Sequence, residues 1–180
     1  MIKRAVIVFN LGGPDNPSAV QPFLFNLFSD AAIINLPNPF RWLIAKIISV
    51  RRAPVAKKIY AEIGGQSPLL DLTQKQAMAL ENNLNKNKNI NLKVFVAMRY
   101  WHPLILETAI SVKNFDPDEI ILLPLYPQFS TTTTGSSFKE WKAAVNKINL
   151  KKPTKEICCY PIDENLIKAQ TLLLKKEVSK

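Results

Sequence analysis

Apolar residues run almost without interruption at 5–9, 92–97, 119–123 and 156–160, while the stretches between them repeat apolar positions at three- and four-residue spacing. Short continuous apolar runs are what a strand buried on both faces requires, and the longer period is that of a helix with one buried stripe. The pattern predicts strands at those four places and helices at 18–28, 40–50, 55–63, 73–85, 104–113, 138–148 and 164–176. Strands separated by helices imply a parallel sheet covered on both faces, an α/β doubly wound fold. Asp71, with Gln74 three residues later, predicts a cap for helix 73–85. The polar run 85–91 then closes that helix as a turn.

One crossover departs from this rhythm. About 80 residues separate the first two predicted strands, where a crossover needs only a dozen or so. The excess reads as a helical insertion at about 18–88. Its middle, 36–52, is apolar, with aromatic residues toward one end and Arg51-Arg52 at the other. Such a segment can be core, a hydrophobic lip over a cleft, or a helix in peripheral contact with a membrane. The sparse Lys/Arg on its polar face favours lip or core.

Composition narrows the class. The chain has 180 residues, 47% of them hydrophobic, enough for one domain with a sizeable core. No apolar run approaches the roughly 18 residues that suggest a membrane span. Lys3-Arg4 leads into 5–9 without a small-residue cleavage site, which fits the first strand of a cytoplasmic domain better than a signal peptide. The only cysteines, Cys158 and Cys159, are adjacent and would point to opposite faces of a strand. Neither a disulfide nor a metal pair is expected of them, and a reducing compartment is the natural reading. The net charge of +10 admits nucleic acid, an anionic membrane or an acidic small molecule as partner. Much of the excess is Lys in short runs among Asn, read as solvated surface, and no arginine-rich arm or nucleic-acid motif is present; no nucleic-acid partner is expected.

Candidate chemistry lies at strand ends. The run 120–125 opens into Tyr126-Pro-Gln-Phe-Ser-Thr-Thr-Thr-Thr-Gly-Ser-Ser137, a loop with seven Ser/Thr hydroxyls. At the carboxyl end of a parallel strand such a loop is placed to meet a polar ligand edge; Ser and Thr there also serve as ordinary helix caps. After the first strand, Gly12-Gly13 permits close approach of a ligand or another segment. The Gly-x-Gly-x-x-Gly fingerprint is missing, and Pro14 and Pro17 delay the helix that would present its N-terminus to a phosphate.

Together the motifs carry a resemblance. Asn10-Leu-Gly-Gly-Pro14, Phe23-Leu-Phe-Asn-Leu-Phe-Ser-Asp30, Arg51-Arg-Ala-Pro54, Tyr60-Ala-Glu-Ile-Gly-Gly-Gln-Ser-Pro68, Met98-Arg-Tyr-Trp-His-Pro103 and Tyr126-Pro-Gln-Phe-Ser130 with Thr133-Thr-Gly-Ser-Ser137 occur in the order of ferrochelatases, and the chain resembles the amino-terminal half of that family. The resemblance implies a Rossmann-like, chelatase-type fold, one half of a two-lobed structure around a porphyrin cleft. It also implies a lyase that inserts Fe²⁺ into a porphyrin late in haem synthesis.

By the same resemblance, Arg52, Tyr60 and Ser67 match carboxylate-binding positions. A porphyrin is an apolar disc with carboxylates at its rim, so an apolar slot edged by an arginine fork and hydroxyl donors suits it. Leu11 matches a position that contacts the macrocycle, where leucine can pack but cannot ligate iron. Arg99 and Tyr100 match the cleft wall, as a rim donor and a stacking surface. The family's catalytic histidine and glutamate belong to its second half, beyond Lys180, so no catalytic residue and no metal ligand is assigned here. His102, the only histidine, matches the Arg-Tyr-x-His-Pro segment, with a structural hydrogen-bonding role. Thr131 stands where cluster-containing members carry cysteine, so no iron–sulfur cluster and no other cofactor is expected; Fe²⁺ and porphyrin are substrates. The chain is expected to be inactive alone and to work with a complementary carboxy-terminal polypeptide, or else to be a non-catalytic porphyrin-binding fragment. A cobalt chelatase acting on another tetrapyrrole fits the 60–68 and 99–103 motifs less well.

Overall fold

A computed structural model describes residues 2–86 and 91–179. Among these, four strands form one sheet in the order β2-β1-β3-β4: β1 (Lys3–Asn10), β2 (Asn91–Met98), β3 (Glu119–Pro124) and β4 (Thr154–Glu156). Every pairing is parallel. Six helices accompany them: α1 (Val20–Phe28), α2 (Phe40–Ala61), α3 (Leu69–Leu84), α4 (Ile105–Phe115), α5 (Ser136–Lys147) and α6 (Glu164–Val178). This is the α/β, chelatase-type fold implied by the apolar pattern and the motifs.

The central strand β1 divides the core by its two-residue period. Ala5, Ile7 and Phe9 face α4 and α5, meeting Ile105, Ala109, Val112, Phe138, Trp141 and Ala144. Val6 and Val8 face the other way, toward Ala77 of α3. A third cluster joins α1 and α2 to the carboxyl end of the sheet, with Phe23, Leu24, Ala53 and Tyr100 buried together. The crossover from β1 to β2 thus contains α1, α2 and α3, and it extends the fold beyond the sheet's strand ends.

Local boundaries depart from expectation in four places. The helices expected at 40–50 and 55–63 merge into the single helix α2, which ends at Ala61, with Pro54 inside it. Pro54 cannot donate to the carbonyl of Val50, but the helix is exposed there, with the Val50 side chain 53% accessible, so water can serve that oxygen. The third helix starts at Leu69 after Pro68, which puts Asp71 within its first turn rather than at its cap. The hydroxyl-rich loop is shorter than expected: Thr131–Gly135 forms a wide π-type turn that leads into α5 at Ser136.

The fourth strand also shifts. It spans Thr154–Glu156, and the predicted run 156–160 leaves the sheet. The Ile157 N–H still reaches the carbonyl of Leu122 at 2.9 Å. Beyond it Tyr160 is tied to the loop after β3, its N–H donating to Pro127 at 2.8 Å and its hydroxyl to the Pro124 carbonyl at 2.7 Å. Cys158 and Cys159 therefore lie outside the strand, and both are exposed. The polar turn read at 85–91 falls partly on residues outside the described ones. Its first residue, Asn85, brackets Leu92, donating to its carbonyl at 2.8 Å and accepting its N–H at 3.1 Å.

Candidate functional site

The carboxyl ends of β1 and β2 and the start of α3 are drawn into one locus by backbone contacts. Arg99 N–H donates to the Asn10 carbonyl and Tyr100 N–H to the Leu11 carbonyl, both at 2.9 Å, and Ser67 N–H donates to Pro14 at 2.8 Å. The glycines permit this convergence. Gly12 has φ +84°, the left-handed region that side chains disfavour, and a Cβ there would stand 3.0 Å from the Trp101 nitrogen. A Cβ on Gly13 would fall 2.5 Å from the Ser67 Cβ and Oγ, so the two segments touch only because Gly13 has no side chain.

Leu11, Tyr60 and Trp101, each partly buried, pack on the same cluster as Tyr100. Ser67 adjoins through Gly13, and its hydroxyl accepts the Leu69 N–H at 3.3 Å. Burial raises the Tyr60 phenol above its ordinary value, so at neutral pH it stays protonated and able to donate. Arg52 stands on α2 two helical turns before Tyr60, roughly 12 Å along the axis. Its side chain is exposed, and the guanidinium lies 5.8 Å from the centre of the Phe28 ring. Leu11, Tyr60 and Ser67 thus share one edge of the fold, and Arg52 lies along the same helix, farther from the strand ends.

Tyr100 and Arg99, expected at a cleft wall, are both engaged with one carboxylate. The Tyr100 ring is fully buried, at 0% exposure, with no face open for stacking on a ligand. Its hydroxyl donates to Asp30 at 2.8 Å. Arg99 is held inward: its Nη2 donates to the same Asp30 oxygen at 2.9 Å and its Nε to Ser136 at 2.7 Å. The Ser136 hydroxyl also donates to Asp30, whose other oxygen accepts the Ala32 N–H at 2.8 Å. One carboxylate at the end of α1 thereby ties together the loop after β2 and the first residue of α5.

The electrostatics follow from that arrangement. Burial alone would raise the pKa of Asp30. The Ser136 hydroxyl, the Ala32 N–H, the Arg99 charge and the Tyr100 hydroxyl outweigh it and hold the carboxyl below its ordinary value. Burial and the hydrogen bond to Asp30 push Tyr100 up to about 12. Tyr126 is raised as well, mainly by burial, with Ser137 pulling the other way. Asp30, Arg41, Arg99 and Lys139 line a cleft of about 750 Å³ beside this network. Sequence reasoning quoted Asp30 and Ser136 within motifs but gave them no role. The signal was there in an acidic residue closing an otherwise apolar and aromatic run.

His102 lies just past β2 with its Nδ1 at 2.9 Å from a Glu107 carboxylate oxygen; the other oxygen accepts the Leu104 N–H at 2.8 Å and so caps α4. Thr131 opens the wide turn. Among the described residues no group of three or more His, Cys, Asp or Glu is arranged to hold a metal ion. Nor is any helix there long and apolar enough to cross a membrane. The Leu11–Tyr60–Ser67 edge offers an apolar side chain and two hydroxyls able to donate.

Residues 3–180 match the family model described as Ferrochelatase. A ferrochelatase of Wolbachia sp. subsp. Drosophila simulans (strain wRi) is 58% identical over 175 residues, which cover 97% of this chain and 56% of that protein. Ferrochelatases of Rickettsia bellii (strain OSU 85-389) and Pelagibacter ubique (strain HTCC1062) are 54% and 53% identical, aligned over 48% and 52% of their own lengths. The chain spans about half the length of the curated relatives it matches.

Proposed function

Because the chain belongs to the ferrochelatase family, we propose that it supplies one wall of a porphyrin cleft in which Fe²⁺ is inserted into the macrocycle during haem synthesis. The observation that carries this reading is the meeting of Leu11, Tyr60 and Ser67 at the carboxyl end of the sheet, where α/β folds bind ligands. In this reading Leu11 packs on the face of the ring. The Tyr60 and Ser67 hydroxyls donate to a rim carboxylate, and Arg52 grips a carboxylate farther along α2. The exposed Phe40, Trp42, Leu43 and Ile47, between 43% and 62% accessible, form the apolar lip of the cleft; contact of 36–52 with a membrane surface is the second use such a face can have. Arg99 acts indirectly, through Asp30 and Ser136, by fixing the loops that carry the site.

Metallation also requires removal of two pyrrole protons. The only histidine is engaged with Glu107, so we assign proton removal to a complementary carboxy-terminal polypeptide. Apolar surface supports the need for one. α6 buries none of its residues, and Leu172, Leu173 and Leu174 are each at least 66% exposed. The competing reading, a porphyrin-binding fragment without catalysis, draws on the same engagement of His102.

Porphyrin fluorescence titration and a metallation assay test both. The chain is expected to bind a dicarboxylic porphyrin weakly, with Arg52→Ala weakening it by up to about tenfold, since this charge-assisted contact is open to water. It is expected to metallate no faster than the protein-free control until the second half of a relative is added. Equal affinity for wild type and variant would remove Arg52 from the site. Turnover by the chain alone would overturn the division of labour, and binding without turnover in the presence of the second half would favour the fragment reading.

A further inference from the structure

Four hydrogen bonds in series connect Leu11 to Ser67 through Thr73, a threonine of α3 at 0% exposure. The Leu11 N–H donates to Asn10 Oδ1 at 2.9 Å, and Asn10 Nδ2 donates to Thr73 Oγ1 at 3.1 Å. The Thr73 hydroxyl donates to the Leu69 carbonyl at 2.7 Å, and the Leu69 N–H donates to Ser67 Oγ at 3.3 Å. Chemistry fixes every direction, because a backbone N–H can only donate and a backbone carbonyl can only accept. The Leu11 N–H turns the Asn10 oxygen toward itself, which leaves the amide nitrogen facing Thr73. Thr73 accepts from that nitrogen and gives its one proton to Leu69. At the far end the Leu69 N–H occupies a lone pair of Ser67, so the Ser67 proton points away from the start of α3.

We propose, resting on the porphyrin reading of this edge, that Thr73 with Asn10 is a positioning residue for carboxylate recognition, holding Ser67 as a hydrogen-bond donor at a fixed place beside Leu11. Thr73 itself touches no porphyrin. Gly13 lets the two segments meet, since a Cβ there would fall 2.5 Å from Ser67 Oγ, but that contact sets neither the register of α3 against β1 nor the direction of the hydroxyl. The series sets both. Thr73 stands one helical turn after Leu69, so its bond to that carbonyl stays within the first turn of α3, while its bond to Asn10 ties the same turn to the end of β1. Thr73 is out of reach of water, so deleting its hydroxyl leaves the Asn10 nitrogen facing a methyl group. A hydroxyl oxygen that already accepts a hydrogen bond is also the better donor. Such an O–H favours an ionised carboxylate over an ester carbonyl, because the bond to a charged acceptor is the stronger one.

The test titrates the full chain with a dicarboxylic porphyrin and with its dimethyl ester, followed by porphyrin fluorescence. Thr73→Val keeps the shape without the hydroxyl and is expected to weaken binding of the acid by about three- to tenfold, the effect of one hydrogen bond, and of the ester by less than about twofold. Thr73→Ser returns the hydroxyl and should bind as wild type does. In a Ser67→Ala background, Thr73→Val should add little, because the two substitutions act on one contact. A role in stability alone would move urea midpoints without distinguishing acid from ester. If Thr73→Val fails to fold, amide exchange in the wild type decides: the Leu11 N–H should be protected like those of β1, and fast exchange there would overturn the proposal. Equal affinity of wild type and Thr73→Val for the acid, an equal loss on acid and ester, or full additivity with Ser67→Ala would overturn it as well. A wild type that binds neither porphyrin would overturn the porphyrin reading itself, and this assignment with it.

Discussion

On one face of the sheet, Phe9 meets Phe138 and Trp141 edge-on at 5.9 and 6.0 Å, and Ile120 and Leu122 are buried under α4 and α5. On the other, α3 covers β1 and β2 but stops short of β3 and β4. Ile121, Leu123 and Ile157 there line a groove of about 360 Å³ with Leu80 and Leu84. The alternation along β3 is therefore between fully and partly buried residues rather than between two packed cores. Near-continuous apolar strands normally imply cover on both faces, so β3 has a sequence suited to more cover than the described residues give it. The comparison teaches that the covered face holds most of this chain's own stability, while the other leaves apolar side chains of β3 in contact with water.

Substitutions can separate those roles. Trp141 is 1% exposed at the centre of the covered face, and Trp141→Ala is expected to cost about 3–5 kcal/mol, read from urea unfolding midpoints. A loss under about 1 kcal/mol would mean that this face is no better packed than its opposite.

Next in size is the polar tie at the edge of the same face. Asp30→Asn keeps the shape but removes the charge that partners Arg99, whose side chain is only 16% exposed; a cost of about 2–3 kcal/mol at neutral pH follows. Its sign with pH is fixed. The folded-state pKa of Asp30 lies below the ordinary value of 3.8, so its contribution is complete above that value and is lost as pH falls through the lower folded one. The variant should lack that part of the acid-induced loss of stability, measured as unfolding midpoints between neutral and acid pH. An identical acid limb in both proteins would remove Asp30 from the account.

The smallest effect is expected on the open face. Leu123→Ala removes a side chain that is still partly in contact with water and should cost about 1 kcal/mol in the chain alone. With a complementary second half present the same substitution should cost more, seen as a larger drop in melting temperature of the mixture. No difference between the two conditions would mean that the groove stays open in the assembly.

How much of this was legible depends on the range of the forces involved. Strands β1, β2 and β3 and all six helical regions were visible because burial writes apolar runs directly into the chain. Pro54 misled, since a local rule reads proline as a break and the exposed side of α2 tolerates it. The run 156–160 looked like a strand because Ile157 and the cysteines are apolar, but Tyr160 binds the loop after β3 and lifts the chain away. The site was legible only through its motifs. No spacing rule joins Leu11, Tyr60 and Ser67; Gly13 and the backbone bonds at Asn10, Leu11 and Pro14 do that in three dimensions. Asp30 was the hardest to foresee, because its partners Arg99 and Ser136 stand 69 and 106 residues away.

The uninterrupted course of α2 through Pro54 makes it a ruler. Arg52 and Tyr60 are set apart by a fixed number of rigid steps, so their separation and relative bearing are written in chain length and are not adjustable by a loop. Inserting one residue between them would turn one about the axis by about 100° relative to the other, and only a change of a whole turn would nearly restore the bearing, at a displaced distance.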